Sequence, residues 1–207
     1  KYFFNKEGKH KVVKVLDGDT FIISPDQTIR LASIDAPEIE FCLGKEAKEE
    51  LEKLILNKYV KIVSGGRDNF YRSLALVYID EKLVNETMVV QGLARYSRGG
   101  TFQETKEAKQ RIKALAKKAE ERKIGLWSNK CHQKTNLEKP ECQIKGNINK
   151  TRQTKIYHFP GCTEYEHTIV ELDWGEQWFC SEKEAQEAGY KKSEHCYEKK
   201  YKRNIER

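Results

Sequence analysis

Apolar and polar side chains alternate over five short runs in the first 80 residues of the chain. The predicted strands cover residues 11–16, 20–24, 28–34, 59–63 and 74–79. They are rich in Val, Ile, Leu and Tyr, and turn signals such as Asp17-Gly18-Asp19 separate them. A period of two is typical of strands that bury one face. Five such strands are enough for a small barrel.

Three further segments carry apolar residues at helical spacing, which is typical of helices with one buried face. The stripes are Ala47, Leu51, Leu54 and Ile55; Met88, Val89 and Leu93; and Ala108, Ile112, Leu115, Ala116 and Ala119. Each stripe can cover the barrel. The pattern therefore predicts an α+β fold in which three helices pack on a five-stranded β-barrel.

The helical pattern stops after Gly125-Leu126-Trp127, and a second apolar region begins near Ile144. We expect a catalytic or binding domain at 1–130, a linker at 131–143, a small cysteine-containing domain at 144–196 and a basic tail at 197–207. The small domain has fewer than about 60 residues, so its core is expected to need covalent staples.

The formal net charge is +7, from 39 Lys and Arg against 32 Asp and Glu. Residues 191–207 hold seven of the basic and three of the acidic residues, so more than half of the excess lies near the carboxyl end. Global charge is thus a weak indication of a nucleic-acid partner. The sequence has no apolar run of the roughly 18 residues that a membrane helix needs, and its composition excludes collagen-like, coiled-coil and wholly disordered chains.

Six cysteines are spread along the chain without any C-x-x-C pair: Cys42, Cys131, Cys142, Cys162, Cys180 and Cys196. This pattern favours disulfides and an oxidising compartment, with Cys131 paired to Cys142 or to Cys42 in one arrangement. A zinc site formed by His158, Cys162, Cys180, His195 and Cys196 is the alternative. The start at Lys1 without Met fits either a removed signal peptide or an engineered start. Together with the cysteine pattern, we expect a secreted or cell-envelope protein whose signal peptide has been removed.

Carboxylates and arginines cluster at the predicted strand ends. Asp19 and Asp35 would supply hard oxygen ligands for Ca²⁺. Arg30 and Arg72 could grip a phosphate through paired N–H groups. Glu38 is then placed to deprotonate a water that attacks phosphorus. These five residues together indicate phosphodiester hydrolysis.

Six ordered blocks resemble the staphylococcal (micrococcal) nuclease family. They are D-G-D-T at 17–20, R-L-x-x-I-D-x-P-E at 30–38, G-x-E-A at 44–47, D-x-x-x-R at 68–72, N-E-x-M-V-x-Q-G-L-A at 85–94 and G-L-W-S at 125–128. The resemblance implies a five-stranded OB-fold barrel with three helices. It also implies a Ca²⁺-dependent endo- or exonuclease that cuts DNA and RNA and leaves 3′-phosphates.

The same resemblance assigns roles to individual residues. Asp19, Asp35 and the Ala36 carbonyl match the metal ligands, Glu38 the general base, and Arg30 and Arg72 the phosphate-binding arginines. Single-stranded or locally melted substrates and a monomeric state are expected. Tyr71 departs from the family, because it stands where Gly is usual before the second arginine and a positive φ would be uncommon there.

Two other features depart from the family or lie outside it. Phe70 replaces a usual Tyr, and the stretch 96–102 is short, which leaves Tyr96 as the obvious residue for base stacking. Residues 144–196 resemble the small sunset domain found in secreted nucleases. Two alternatives to a nuclease stay open: a non-catalytic nucleic-acid-binding OB module, and a surface-binding protein that acts through its carboxyl-terminal domain.

Overall fold

The computed structural model of the protein describes residues 8–98, 106–197 and 199–201. The chain divides into two units, Lys1–Trp127 and Ser128–Arg207. Within the described residues, no helix combines the length and the apolar character needed to cross a membrane.

The first unit is built on a closed barrel. Its strands are β1 (His10–Val15), β2 (Thr20–Ile23), β3 (Gln27–Leu31), β4 (Ile34–Asp35), β5 (Tyr59–Arg67), β6 (Ser73–Ile79), β7 (Lys82–Leu83) and β8 (Arg95–Tyr96). Antiparallel pairing joins β3, β2, β1, β5 and β6 in that order, and the parallel pairing of β3 with β6 closes the ring. The predicted α+β class and five-stranded barrel are confirmed.

One predicted strand is divided in two. The alternating pattern at 28–34 predicted a single strand, but β3 ends at Leu31 and Ser33 has a φ of 63°. This left-handed residue turns the chain, so that β4 leaves the barrel and pairs with β8 instead. The turn carries Asp35 and the residues after it away from the strand direction of Arg30.

Three helices pack on the barrel as predicted: α1 (Gly44–Ile55), α2 (Val84–Val90) and α3 (Lys106–Glu121). The predicted stripes lie on their packed faces, except that Leu93 follows the end of α2 at Val90. Ala47, Leu51 and Ile55 are fully buried on α1, and Met88 is fully buried on α2. All three helices contribute to the core that the barrel encloses.

Asn85 fastens α2 to the barrel. It is fully buried, and its Nδ2 donates to the carbonyls of Ala32 at 2.9 Å and Ala75 at 3.1 Å. Its Oδ1 accepts the backbone N–H of Val77 at 3.0 Å. The amide thus binds three backbone groups of the barrel, and a buried backbone group left without a partner would cost about 1–3 kcal/mol.

The second unit contains its own small sheet. Its elements are β9 (His132–Gln133), β10 (Ile144–Asn149), β11 (Thr154–His158), β12 (Val170–Glu171), β13 (Gln177–Phe179), α4 (Glu182–Glu187) and β14 (Lys191–Lys192). The order is β13-β10-β11-β14, and β9 pairs separately with β12. Buried aromatic residues and cysteines form a separate core around Tyr157, Phe159 and Tyr190.

All six cysteines lie in the described part of the chain, and all are disulfide-bonded. Cys142 pairs with Cys180, and Cys162 pairs with Cys196. The alternative pairing of Cys131 with Cys142 is therefore wrong. The zinc hypothesis is also wrong for the thiol ligands, because Cys162, Cys180 and Cys196 are oxidised and a disulfide sulfur has no thiolate to offer a metal.

The segment predicted as a linker has structure of its own. The second unit begins at Ser128, and residues 131–143 belong to it. Gln133 pairs with Val170 across β9 and β12, and Gln133 Oε1 accepts the indole N–H of Trp178 at 2.8 Å. The polar composition of this segment reflects a hydrogen-bonded edge of the unit.

Candidate active site

The turn between β1 and β2 places the Asp19 side chain in the interior of the barrel unit. Asp17 Oδ1 accepts the backbone N–H of Asp19 at 2.9 Å, which fixes the turn. A Cβ at Gly18 would lie 2.6 Å from the Ala47 Cβ and 2.7 Å from the Ala36 Cβ. Only glycine allows this close packing on α1. Asp19 is consequently buried, with 1% of its surface exposed.

The Asp19 carboxylate has several donors. Thr20 Oγ1 donates to Oδ1 at 2.8 Å, and the Ala36 backbone N–H donates to Oδ2 at 2.9 Å. Arg30 Nη1 also donates to Oδ1. Burial raises the pKa of Asp19 to about 7, because Arg30 and the hydrogen bonds only partly offset the loss of water and the repulsion from Asp17.

Arg30 connects two carboxylates. Its Nη1 contacts Asp19 and its Nη2 contacts Asp35 Oδ1. The three side chains are 18%, 2% and 32% exposed, respectively. Burial lowers the pKa of Arg30, but the aspartates outweigh it, so the net shift is upward. One guanidinium thus contacts two carboxylates at the mouth of the barrel and offsets part of their negative charge.

Glu38 lies on the segment between β4 and α1. Its backbone carbonyl accepts the Phe41 N–H at 2.9 Å, and a Cβ at Gly44 would overlap that carbonyl oxygen. The first residue of α1 therefore packs directly against the Glu38 backbone. Partial burial raises the pKa of the Glu38 carboxyl, and the charges of Asp17 and Glu40 raise it further, although Arg30 opposes them.

A short loop before β6 carries Arg72. Asp68 Oδ1 accepts the backbone N–H groups of Phe70 and Arg72 at 2.9 Å, and Asp68 Oδ2 accepts Arg72 Nε at 2.7 Å. Tyr71 has a φ of 62°. The sequence argued against this conformation, because a positive φ is uncommon and strained for a residue with a side chain, but the loop adopts it with Tyr71 in place of glycine.

These elements bring the predicted site residues to one pocket of about 640 Å³. Its lining includes Asp19, Arg30, Asp35, Ala36, Glu38 and Arg72. Two further polar residues line it that the sequence reasoning did not select, Asp17 and Thr28. Thr28 could have been found, because it lies two residues before Arg30 on the same strand and residues with that spacing share a face.

The residue proposed for base stacking lies elsewhere. Tyr96 is half-buried on β8 and pairs with Ile34 across the β4–β8 ladder. It does not line the pocket that holds Arg30 and Glu38. Residues 99–102 of the short stretch lie outside the described part of the chain.

Comparisons with known proteins identify a family for the first unit. The family model for the staphylococcal nuclease homologue matches residues 28–129. The match ends there, so the resemblance of residues 144–196 to a sunset domain stays a prediction.

Relatives with nuclease names match more than half of the chain. Thermonuclease of Staphylococcus hyicus is 30% identical over 134 residues, which are 59% of this chain and 78% of that protein. Micrococcal nuclease of Shigella flexneri is 32% identical over 134 residues, 58% of this chain and 73% of that protein. An uncharacterized endonuclease of Haemophilus influenzae is 33% identical over 127 residues, 58% of this chain and 66% of that protein. The chain belongs to the staphylococcal nuclease family.

Proposed function

We propose that the protein is a Ca²⁺-dependent nuclease that hydrolyses phosphodiester bonds of DNA and RNA and leaves 3′-phosphate ends. The observation that carries this proposal is the shared pocket of Asp19, Arg30, Asp35, Glu38 and Arg72. It combines oxygen ligands, phosphate-binding guanidiniums and a base within one open cavity.

The donor set suits Ca²⁺. Asp19 and Asp35 offer carboxylate oxygens, and the Ala36 carbonyl would be a third oxygen ligand from the chain. No cluster of three or more His, Cys, Asp or Glu side chains suited to a metal occurs among the described residues, so the remaining ligands would be water and phosphate oxygens. When bound there, Ca²⁺ would neutralise charge that develops on the phosphate in the transition state.

The two arginines would bind the scissile phosphate. Arg72 is held by Asp68 through Nε, and no acceptor in the described residues contacts its two terminal Nη groups. Its side chain is 27% exposed, and Arg30 is the other basic residue among the described residues that line the pocket. Planar guanidiniums fixed in this way lose little freedom when they bind an anion.

Glu38 would act as the general base. Its raised pKa makes it a better proton acceptor than an ordinary glutamate. It takes a proton from a water whose oxygen forms the new bond to phosphorus. The P–O5′ bond breaks, the 5′ oxygen is protonated from solvent, and the phosphate stays on the 3′ oxygen.

Cleavage assays on single-stranded DNA and RNA test the proposal. Activity should require Ca²⁺ and disappear in excess EGTA, and Glu38→Gln should lower kcat by on the order of 10²–10⁴. The products should accept a 5′ label from a kinase without prior phosphatase treatment. Full turnover in EGTA would contradict the metal assignment, and 5′-phosphate products would contradict the proposed bond cleavage.

Metal binding has a readout that does not depend on activity. Ca²⁺ should raise the unfolding temperature of the wild-type protein, because a ligand that binds only the folded state stabilises it. Asp35→Ala should abolish this rise. Asp26→Ala is the matched control, since Asp26 is exposed in the β2–β3 turn and lines no part of the pocket.

The oxidised cysteines support a location outside the cytoplasm. Disulfides persist in secreted, envelope and surface proteins, whereas cytosolic thiols are kept reduced. Because all six cysteines are disulfide-bonded, we place the protein in an oxidising compartment, either secreted or in the cell envelope.

A further inference from the structure

Helix α3 carries the excess positive charge of the first unit. Residues 1–127 contain 24 Lys and Arg against 19 Asp and Glu. The segment 106–123, which is α3 and the two residues after it, contains eight Lys and Arg against three Glu. Both counts give a net charge of +5, so the remaining residues of the unit are balanced. The excess is therefore concentrated on one helix.

Four lysines of α3 form a row along the helix, which we call the lysine row. They are three or four residues apart, and this spacing makes them neighbours on the helix surface. The four are Lys106, Lys109, Lys113 and Lys117. Lys109 is half-buried, and the other three are exposed. At 1.5 Å per residue, the lysine row is about 16 Å long.

The lysine row is poorly supplied with acidic partners. On α1, by contrast, Lys48 has Glu52 one turn away at 3.8 Å. In the lysine row, Lys117 has Glu121 at 3.5 Å, but both of these side chains are more than half exposed, and exposed ion pairs are weak. The other three lysines of the row pair with no carboxylate among the described residues. Their charge is therefore available to a ligand.

Another face of α3 is used by the fold. Ala108, Ile112 and Ala116 belong to the core of the barrel unit, and Leu115 packs against that core. A helix that binds a membrane surface needs a free apolar face to insert between the lipids. The large apolar side chains of α3 are already packed, so its charge suits a polyanion bound from solution better than a lipid bilayer.

We propose that the lysine row binds the phosphate backbone of nucleic acid outside the candidate active site. No residue of α3 is among the described residues that line the 640 Å³ pocket. A duplex carries one phosphate charge per strand about every 3.4 Å, so a row of about 16 Å can face several phosphates. Lysine acts as a point charge, which makes the contact independent of base sequence. The inference rests on the proposed function for the identity of the ligand.

A triple variant tests the lysine row through the salt dependence of binding. Lys106→Gln/Lys113→Gln/Lys117→Gln keeps the apolar face and the helix propensity, so the unfolding temperature should not fall. Binding of a labelled DNA duplex is measured by fluorescence anisotropy at several salt concentrations, in a Glu38→Gln background with EGTA to prevent cleavage. The slope of log K against log salt should become shallower by about 0.9 for each lysine that contacts a phosphate.

A triple variant of α1 is the matched control. Lys45→Gln/Lys48→Gln/Lys53→Gln removes the same charge from another helix of the unit, and none of these lysines lines the pocket. Its slope should equal that of the Glu38→Gln parent. A parental slope for the α3 variant, or an equal reduction in both triple variants, would overturn the proposal.

Substrate length separates the lysine row from the pocket. With Ca²⁺ and Glu38 intact, the α3 variant should cut long DNA with a kcat/KM lowered by on the order of 10-fold. It should cut a dinucleotide at the wild-type rate, because so short a substrate leaves no chain outside the pocket. Equal losses on both substrates would overturn the proposal, since they would show that the substitutions act on the pocket itself.

An anionic membrane is the competing ligand for a basic helix. Sedimentation with vesicles of phosphatidylglycerol and phosphatidylcholine should give the same bound fraction for the wild type and the α3 variant. Loss of vesicle binding in the α3 variant, together with a parental slope on DNA, would overturn the proposal and assign the lysine row to lipid headgroups.

The outcomes also separate this inference from the proposed function. If the wild-type protein cuts DNA but the α3 variant binds with the parental slope, the inference fails and the nuclease function stands. If the protein cuts neither DNA nor RNA while the α3 variant binds DNA with a shallower slope, the nuclease function fails and the lysine row stands as a binding surface.

Discussion

His158 is a buried titratable residue of the second unit. It lies on β11 with 5% of its surface exposed, and its Nδ1 has no hydrogen-bond partner among the described residues. Burial lowers its pKa, and His195 and Lys145 lower it further, while Glu164 acts in the opposite direction. The folded unit therefore favours the neutral imidazole.

This shift predicts a loss of stability in acid. The folded pKa of His158 lies below the ordinary value of 6.5, so the unfolded chain binds more protons as the pH falls through that range. The free energy of unfolding of the second unit should therefore have its highest value above about pH 6.5 and decline as the pH falls below it. His158→Gln should flatten this decline in urea titrations, and the exposed His167→Gln should not. An unchanged slope in His158→Gln would contradict the assignment.

At the same scale, sequence motifs selected residues that share one pocket in the structure but did not predict their contacts. Spacing in R-L-x-x-I-D-x-P-E placed Arg30, Asp35 and Glu38 near one another. It did not indicate that one guanidinium joins both aspartates, because that contact depends on the turn at Ser33 and on the pairing of β4 with β8. Local residue types predict chemistry, whereas side-chain partners require the tertiary structure.

At the scale of elements, the junction of α1 with the Glu38 segment depends on one glycine. A side chain at Gly44 would overlap the Glu38 carbonyl oxygen, which is backbone and cannot rotate away. Replacing glycine by alanine inside a helix ordinarily stabilises it by up to about 1 kcal/mol. At Gly44 the overlap with the Glu38 carbonyl oxygen makes the same substitution destabilising.

We predict that Gly44→Ala lowers both stability and activity. The overlap should push the start of α1 away from Glu38, so that the unfolding temperature falls and kcat falls while the α-helical content stays close to that of the wild type. Lys45→Ala, one residue later in the same helix turn and exposed, is the control. A Gly44→Ala protein that is as stable and as active as Lys45→Ala would show that the segment relaxes freely.

The elements were predicted well where periodicity was long. The three helices and the barrel strands follow the sequence pattern closely. The strand break at Ser33 and the two-residue strands β9 and β12 carried no periodic signal, since two residues are too few to show alternation. Their formation depends on partners that are distant in sequence.

At the scale of the whole molecule, the two units should respond differently to reduction. The second unit has a small core closed by Cys142–Cys180 and Cys162–Cys196, and loss of a disulfide from a small domain costs about 2–5 kcal/mol. The barrel unit has a larger core of its own. Reduction should therefore unfold the second unit first.

Limited proteolysis checks this prediction. After mild reduction, protease sites should appear beyond about residue 128, and most of the nuclease activity should be retained. The Cys162→Ala/Cys196→Ala double variant should reproduce the effect without reductant. Cleavage within the barrel before cleavage in the second unit would contradict the prediction. The oxidation state is checked separately, because the intact mass of the native protein should be lower than that of the form with six thiols by about six hydrogens.

The unit boundary could be placed only approximately from the sequence. The end of the helical pattern at Trp127 coincides with the boundary between the units. The polar residues at 131–143 were interpreted as a linker because a polar composition indicates exposure to solvent. Composition does not indicate which residues pair in strands or form hydrogen bonds. Their hydrogen bonds within the second unit, such as Gln133 with Trp178, have no signature in composition.

The bridge that Arg30 makes between Asp19 and Asp35 has a consequence for how the protein matures. An isolated buried carboxylate would oppose folding by several kcal/mol, but here a cation from the chain itself already offsets part of the charge of the two carboxylates. Under the proposed Ca²⁺ dependence, the barrel can therefore fold before it binds calcium, and chelation should inactivate it without denaturing it. Under the same proposal, a chain folded in a calcium-poor compartment would be inactive there and would become active on delivery to a calcium-rich one.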